Sequence, residues 1–239
     1  MKHIWIIGGS SGIGLELVKI WCKENVKLTI SSRNISSNET LVSLRNSHDN
    51  IFLLDIDVSK EIQAVPTDID LLFYNVGVYE PTTMDSSFED FENMINTNYL
   101  GFLRVFKKAL KNMNPNSKIV ANASLSSYFG LVNSGAYSAS KSALVNLCQS
   151  FQPELALKGI NLQVINHGFV KTRLTDKNEF EMPGLMTPKD TAKRIIKEIN
   201  KSNKFEIRFP FKVSMFLSFF RFSPYRLSLY LNKKLLKNS

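Results

Sequence analysis

The sequence predicts an α/β fold, a doubly wound parallel sheet in one domain. Three observations predict it. Short apolar runs alternate with helical periodicities through most of the 239 residues, as repeated strand–helix–strand units require. The first run, Ile4-Trp5-Ile6-Ile7, leads straight into a glycine-rich segment over 8–14, and then into Leu15, Leu17, Val18, Ile20 and Trp21 at helical spacing. The length suits a single core of good size, with no internal repeat and no low-complexity tract.

Taken in order, strands are expected at 3–8, 27–32, 51–55, 69–74, 117–123 and 161–166, with a weaker seventh at 205–209. Helices are expected at 12–24, 38–46, 88–113, 136–158 and 188–201. Ser87 before Phe88-Glu89-Asp90 is an N-cap with an acidic first turn. Thr187-Pro188-Lys189-Asp190 combines a capping hydroxyl, Pro at the first helical position and an acid three residues on. Gly101 should break the third helix, and Pro153 should kink the fourth.

Strand, glycine loop and helix in succession form a Rossmann-type arrangement that turns backbone N–H groups toward a diphosphate. Gly8 permits the tight turn, Gly12 the approach of the backbone, and Gly14 close packing of helix on strand. Ser10, Ser11, Gly12 and Ile13 carry the cradle. The spacing is G-x-x-x-G-x-G rather than G-x-G-x-x-G.

A second motif, Tyr137-Ser138-Ala139-Ser140-Lys141, puts a phenol and an ammonium one helical turn apart. A phenol with its ordinary pKa near ~10 is a poor proton donor to a ketone at neutral pH. A neighbouring Lys⁺ is expected to lower that pKa, so that the phenol can give a proton to a carbonyl or take one from an alcohol.

Together the two motifs resemble the short-chain dehydrogenase/reductase family, in its short single-domain branch, over residues 1 to about 209. Asn98, Ser124 and Asn75-Val76-Gly77 stand at matching intervals, as do Asp57-Val58 after the third strand and Gly168-Phe169-Val170-Lys171-Thr172 after the sixth. The resemblance implies that Asp57 and Val58 meet the adenine. It implies that Asn75 and Gly77 flank the cofactor, and that Gly168, Val170 and Thr172 close over the nicotinamide. It implies Ser124 as donor to the substrate oxygen, Lys141 as ligand of the cofactor ribose, and Asn98 as anchor of a water reaching Lys141. The chain departs from the family pattern at Ile7, where Thr is usual, at Tyr74, in place of Asn, and at His167, in place of Pro. A packed loop histidine is the preferred reading of His167.

The second strand ends in Ser31-Ser32-Arg33-Asn34, without the acid that would bind a ribose 2′-hydroxyl. Arg33, with Ser32, can pair with a 2′-phosphate, which favours NADP(H) over NAD(H). The expected reaction interconverts a carbonyl and an alcohol on a small hydrophobic substrate. The segment 174–186 supports an apolar substrate with Phe180, Met182, Leu185 and Met186, a lid in the place where the family covers its substrate. The alternative is a non-catalytic dinucleotide-binding module, against which Ser124, Tyr137 and Lys141 all count. A sugar-nucleotide epimerase would need a longer chain.

Two cysteines, Cys22 and Cys148, lie far apart and lack metal-ligand spacing. Buried thiols in a reducing, cytoplasmic setting are expected, with no metal. A basic-then-apolar leader and a run of about 20 apolar residues are both missing from the pattern. Of 30 Lys/Arg and 21 Asp/Glu, residues 201–239 hold nine basic side chains and one acid, Glu206. The net charge of +9 thus divides into +8 in that segment and +1 before it.

Residues 1–209 are therefore read as a dinucleotide-binding catalytic domain and 210–239 as an amphipathic C-terminal extension. Between Pro210 and Pro224, Val213, Phe216, Leu217 and Phe220 form one apolar helical stripe, widened by Met215, Phe219 and Phe222. A second short helix would set Leu227, Tyr230, Leu231 and Leu235 against Lys233, Lys234 and Lys237. Three readings compete for the extension: an anionic membrane surface at the inner face of a membrane, a second subunit in a homodimer or homotetramer (or the substrate entrance), and nucleic acid. Nucleic acid is disfavoured by the apolar content.

Overall fold

The structure, a computed structural model, describes residues 1–178 and 180–236. Seven strands form one sheet: β1 (Lys2–Ile7), β2 (Val26–Ser32), β3 (Ile51–Asp55), β4 (Ile69–Tyr74), β5 (Met113–Asn122), β6 (Asn161–His167) and β7 (Glu206–Phe209). Their order is β3-β2-β1-β4-β5-β6-β7, with every pairing parallel. Parallel strands need crossovers, and these are α1 (Gly12–Trp21), α2 (Glu39–Ser47), α3 (Phe88–Ile95) with α4 (Gly101–Ala109), α5 (Gly135–Leu157) and α6 (Pro188–Lys201).

Alternation along β1 feeds two cores. Ile4 and Ile6 pack with Leu17 and Val18 of α1 and Ile195 and Ile199 of α6. Trp5 and Ile7 pack on the other face with Phe102 and Val105 of α4 and Leu144 and Cys148 of α5. The strand order reverses between β1 and β4, which opens a crevice at their carboxyl ends. Both expected N-caps form: Ser87 Oγ accepts from Asp90 N at 3.2 Å, and Thr187 Oγ1 accepts from Asp190 N at 3.1 Å. Both cysteines are buried free thiols.

The helix boundaries depart from expectation at several points. The break in the third helix lies before Gly101, as a π-helical segment Asn96–Leu100, and α4 then runs on from Gly101. Gly101 serves close approach instead: a methyl there would meet the Tyr74 hydroxyl at 2.7 Å and Val58 at 2.8 Å. Met113 does not end that helix but begins β5, with a register shift against β4 between Ile69 and Leu71. α1 stops at Trp21, and Lys23 and Glu24 turn toward β2. α5 runs through Pro153 as one helix.

After β7 come α7 (Phe211–Phe222) and α8 (Tyr225–Leu236). Leu217 and Phe220 of α7 join Leu125 and Tyr128 in a third small core, with Val213 and Leu231 at its edge. Phe216, of the same apolar stripe, is 56% exposed. It lies about 100° around the helix from Leu217, so only its edge reaches Phe220, at 5.3 Å between ring centroids. Lys237 and the side chain of Leu235, which the sequence pattern gives to the second helix, lie outside the described residues.

Candidate active site

The glycine loop is built for close approach. Gly8 (φ +85°) and Gly12 (φ +53°) occupy the left-handed region that glycine adopts without strain. A methyl on Gly14 would collide with the Gly8 carbonyl oxygen. That carbonyl also accepts from Asn75 Nδ2 at 3.0 Å, and Asn75 Oδ1 accepts from Asn122 Nδ2 at 2.8 Å. The two asparagines thus bind the loop after β1 to the ends of β4 and β5. Thr172 comes down on Gly12, 3.2 Å from where its Cβ would be. Ser11 precedes α1 in extended conformation with no side-chain cap, so Ser10, Ser11 and Ile13 lie where the first-turn N–H groups lack intrahelical partners. A diphosphate suits this cradle, since any larger side chain would fill it.

At the adenosine end of the crevice Arg33 is exposed beyond β2. Ser32 is buried, its hydroxyl 3.4 Å from the Arg33 carbonyl. Asp57 accepts from the hydroxyl and amide of Ser59 at 2.6 and 3.0 Å. The Ser59 hydroxyl contributes most to holding its carboxyl below the usual range, and Arg33 adds to the effect. Val58 has its side chain in the core, and its carbonyl accepts from Arg104 at 3.0 Å. Sequence reasoning misses Asp55, which accepts from Ile35 N at 2.5 Å and Ser36 Oγ at 2.6 Å and so fixes the turn that carries Arg33. An acid ending a strand is the one signal that could have found it.

The catalytic candidates converge at the other end. Tyr137 and Lys141 lie one turn apart on α5, with the Lys141 Nζ 5.7 Å from the Tyr137 ring centroid. Ser124, two residues beyond β5, lies close enough to the Tyr137 side chain to favour its phenolate. Lys141 is buried and donates to the Asn122 carbonyl at 3.0 Å. Gly77 lies against it, the position of a Cβ there being 3.4 Å from Nζ. Asn98 sits fully buried in the π-helical segment. Its side chain accepts from Val78 N at 2.8 Å and donates to Val78 O at 3.0 Å and Ser140 Oγ at 2.9 Å. Ser140 in turn donates to the Tyr137 carbonyl at 2.7 Å. Asn98 therefore ties the 76–78 loop to the helix that bears the Tyr–Lys pair. Tyr74, the departure from Asn, donates to Thr97 O at 2.9 Å and holds the π turn in place.

The electrostatics correct one expectation. Lys141 does not bring the Tyr137 phenol down here. Burial pushes it up to about 12, against the pull of the Ser124 hydrogen bond, and Tyr79 adds to the rise. Lys141 itself is driven down to about 8 by burial. Desolvation opposes phenolate and ammonium alike and dominates both shifts. Tyr79, also missed from sequence, packs edge-on against Tyr137 with centroids 5.2 Å apart.

His167 is a packed neutral imidazole. Burial lowers it to about 4, its Nδ1 lies 2.7 Å from the Gly168 carbonyl, and it stacks on Phe209. Beyond it the chain returns through a bridge between Val170 and Met186. Phe169 packs edge-on against Phe180 in the lid. Gly184 (φ +68°) rests on Pro210 and Val213 at the start of α7. Lys177 of the same segment pairs with Glu80 and donates to Tyr79 O at 3.2 Å. The segment is thus held at two points, by the start of α7 and by the loop that carries Tyr79.

Comparison with known proteins agrees with this geometry. The model of the family described as short chain dehydrogenase matches residues 2–182. Carbonyl reductase family member 4 of Xenopus laevis is 27% identical over 195 residues, which span 77% of this chain and 81% of the relative. A solved structure described as ElxO with NADP bound has a TM-score of 0.70 at 26% identity, covering 87% of this chain and 96% of the other. A short-chain dehydrogenase/reductase of Burkholderia phymatum in complex with NAD superposes with a TM-score of 0.78 over 90% of this chain and 91% of its own, at 20% identity. A glycine cradle between β1 and β4, a Tyr–Lys pair on the helix after β5 and a family match across three quarters of the length converge: this chain belongs to the short-chain dehydrogenase family of oxidoreductases.

Proposed function

We propose that this oxidoreductase is an NADP(H)-dependent enzyme that interconverts a carbonyl and an alcohol on an apolar substrate, with Tyr137 as the general acid and base. The observation that carries the reading is the neighbourhood of Ser124, Tyr137 and Lys141, with the Lys141 ammonium 5.7 Å from the Tyr137 ring and Ser124 close enough to pull on its phenol. The nicotinamide, when bound, supplies the hydride. Ser124 donates to the substrate oxygen and polarises the carbonyl. Tyr137 delivers a proton to the developing alkoxide, and in the reverse direction takes one from the alcohol. A phenol held at about 12 favours the protonated, donating form, which suits reduction. Lys141 holds the ribose hydroxyls. Asn98 positions the Tyr–Lys helix through Ser140.

NADP(H) is favoured because Arg33 is exposed just beyond β2, on a turn pinned by Asp55, and free to pair with a 2′-phosphate. ElxO, at 26% identity, is described with NADP bound. The segment 174–186 favours an apolar substrate, since it carries the exposed side chains of Phe180 and Leu185.

The test is NADPH oxidation with a panel of apolar ketones and aldehydes. Tyr137→Phe should lower kcat/KM by about 10²–10⁴-fold, with cofactor affinity retained. An equal rate in both proteins overturns the acid assignment. Arg33→Ala should weaken NADPH binding by about 10–100-fold, the value of a charged hydrogen bond, and leave NADH binding unchanged. Unchanged NADPH affinity removes the cofactor preference.

A further inference from the structure

The outward face of the C-terminal helices is the feature that the catalytic reading does not use. α7 turns Ser214, Leu217 and Phe220 inward. Its larger side chains face out: Phe211 is 73% exposed, Met215 57%, Phe219 50% and Phe222 78%. These four stand at i, i+4, i+8 and i+11, so they form one ridge along the helix. Tyr225, Leu229 and Tyr230 extend exposed apolar surface along α8. A helix on a water-facing surface places polar residues there, and a contiguous apolar ridge marks a docking surface.

Charge identifies the occupant. Lys212, Arg221, Arg226, Lys233 and Lys234 are exposed on the same two helices. The lone acid of residues 201–239, Glu206, is engaged elsewhere, accepting from Tyr128 at 2.5 Å and from Asn166 at 2.6 Å. Aromatic residues interleaved with cations, and no free acid among them, complement a surface that is both apolar and anionic. A second copy of the chain would bring another +8 segment against the first. Each helix is 12 residues long, too short to span a bilayer, so the pair would lie in the interfacial plane.

We propose that the outward face of α7 and α8 docks on an anionic membrane surface. Pro210 and Val213 support the lid at Gly184, and Leu217 and Phe220 pack beside Leu125, which follows Ser124. Docking therefore brings the substrate side of the crevice to the lipid. That last consequence rests on the reductase reading; the docking does not.

The experiment is flotation of the full chain with vesicles of phosphatidylcholine containing about 30% phosphatidylserine, and with phosphatidylcholine alone, at low and high salt. Binding should require the anionic lipid and fall by about tenfold or more on raising salt from about 0.05 to 0.5 M. The double variant F219S/F222S should lose binding with unchanged circular dichroism and melting, because both side chains are exposed. A second variant, K233E/K234E, should lose the preference for anionic vesicles. No binding at low salt overturns the proposal, as does equal binding to neutral vesicles. So does self-association, or binding of single-stranded RNA, that the same variants abolish while lipid binding is nil. None of these readouts is enzymatic, so failure here leaves the reductase reading to stand or fall on Tyr137→Phe alone.

Discussion

The nucleotide end and the substrate end of the crevice are built from different materials. The nucleotide end is backbone: Gly8 and Gly12 in left-handed conformations, Gly14 pressed on the Gly8 carbonyl, and two asparagines lashing the loops together. The substrate end is side chains borrowed from distant segments: Tyr79, the lid over 174–186, and α7 against it. A backbone cradle leaves few ways to vary and suits an invariant diphosphate. A side-chain wall can be exchanged without moving the sheet. The Tyr–Lys pair sits where the two meet, and burial disfavours the charged form of both groups.

Glycine substitutions give the sharpest way to break this comparison. Gly14→Ala forces a methyl into backbone that cannot swing aside, and overpacking of that kind costs about 3 kcal/mol or more. Gly130, in the loop before α5 where its carbonyl accepts from Asn232 of α8, has nothing within 4 Å of its would-be Cβ. Gly130→Ala should be neutral, or stabilising by about 0.4–1 kcal/mol through the unfolded chain. Thermal unfolding and NADPH fluorescence titration read both. If Gly14→Ala unfolds and binds NADPH as Gly130→Ala does, the nucleotide end is not the rigid one.

His167, at the junction, sharpens the comparison through pH. Its folded pKa of about 4 lies below the ordinary value of 6.5. Between those values the unfolded chain binds a proton that the folded chain refuses. Stability is therefore complete above pH 6.5 and falls as pH drops toward 4, by roughly 3 kcal/mol for a shift of this size. His3, also lowered by burial, adds to the same acid limb. The diagnostic is the difference between wild type and His167→Gln in urea melts at about pH 7 and about pH 4.5. The variant should lose less stability on acidification. Parallel losses would mean that His167 takes its proton without disturbing the junction.

The same contrast explains what is legible in the sequence. The glycine spacing, the Tyr–Lys interval and the caps at Ser87 and Thr187 are local patterns, each fixed by helix or turn geometry over a few residues. Asn98 and Ser124 are found through the resemblance, and their intervals carry over because strands and crossovers space them. Tyr79 against Tyr137, Asn122 against Asn75 and Lys177 against Glu80 join residues that no periodicity relates. The Tyr137 phenol moves opposite to expectation because spacing shows that Lys141 is near but not how far both groups are desolvated.

The Lys177–Glu80 pair marks the loose extreme of the substrate end and yields the smallest expected effect. Its side chains are 42% and 43% exposed, so water screens the attraction, and such pairs contribute about 0.2–1 kcal/mol. Lys177 also donates to the Tyr79 carbonyl, beside the ring that packs on Tyr137. If the pair only holds the lid shut, Lys177→Met should raise KM for a carbonyl substrate by no more than about fivefold and leave kcat unchanged. Added salt should raise the wild-type KM toward that of the variant and leave the variant unmoved. A fall in kcat instead would show that Lys177 steadies Tyr79 against the phenol. The substrate end would then reach into the proton-transfer step itself, and the division between a rigid cradle and an exchangeable wall would have to be redrawn around Tyr79.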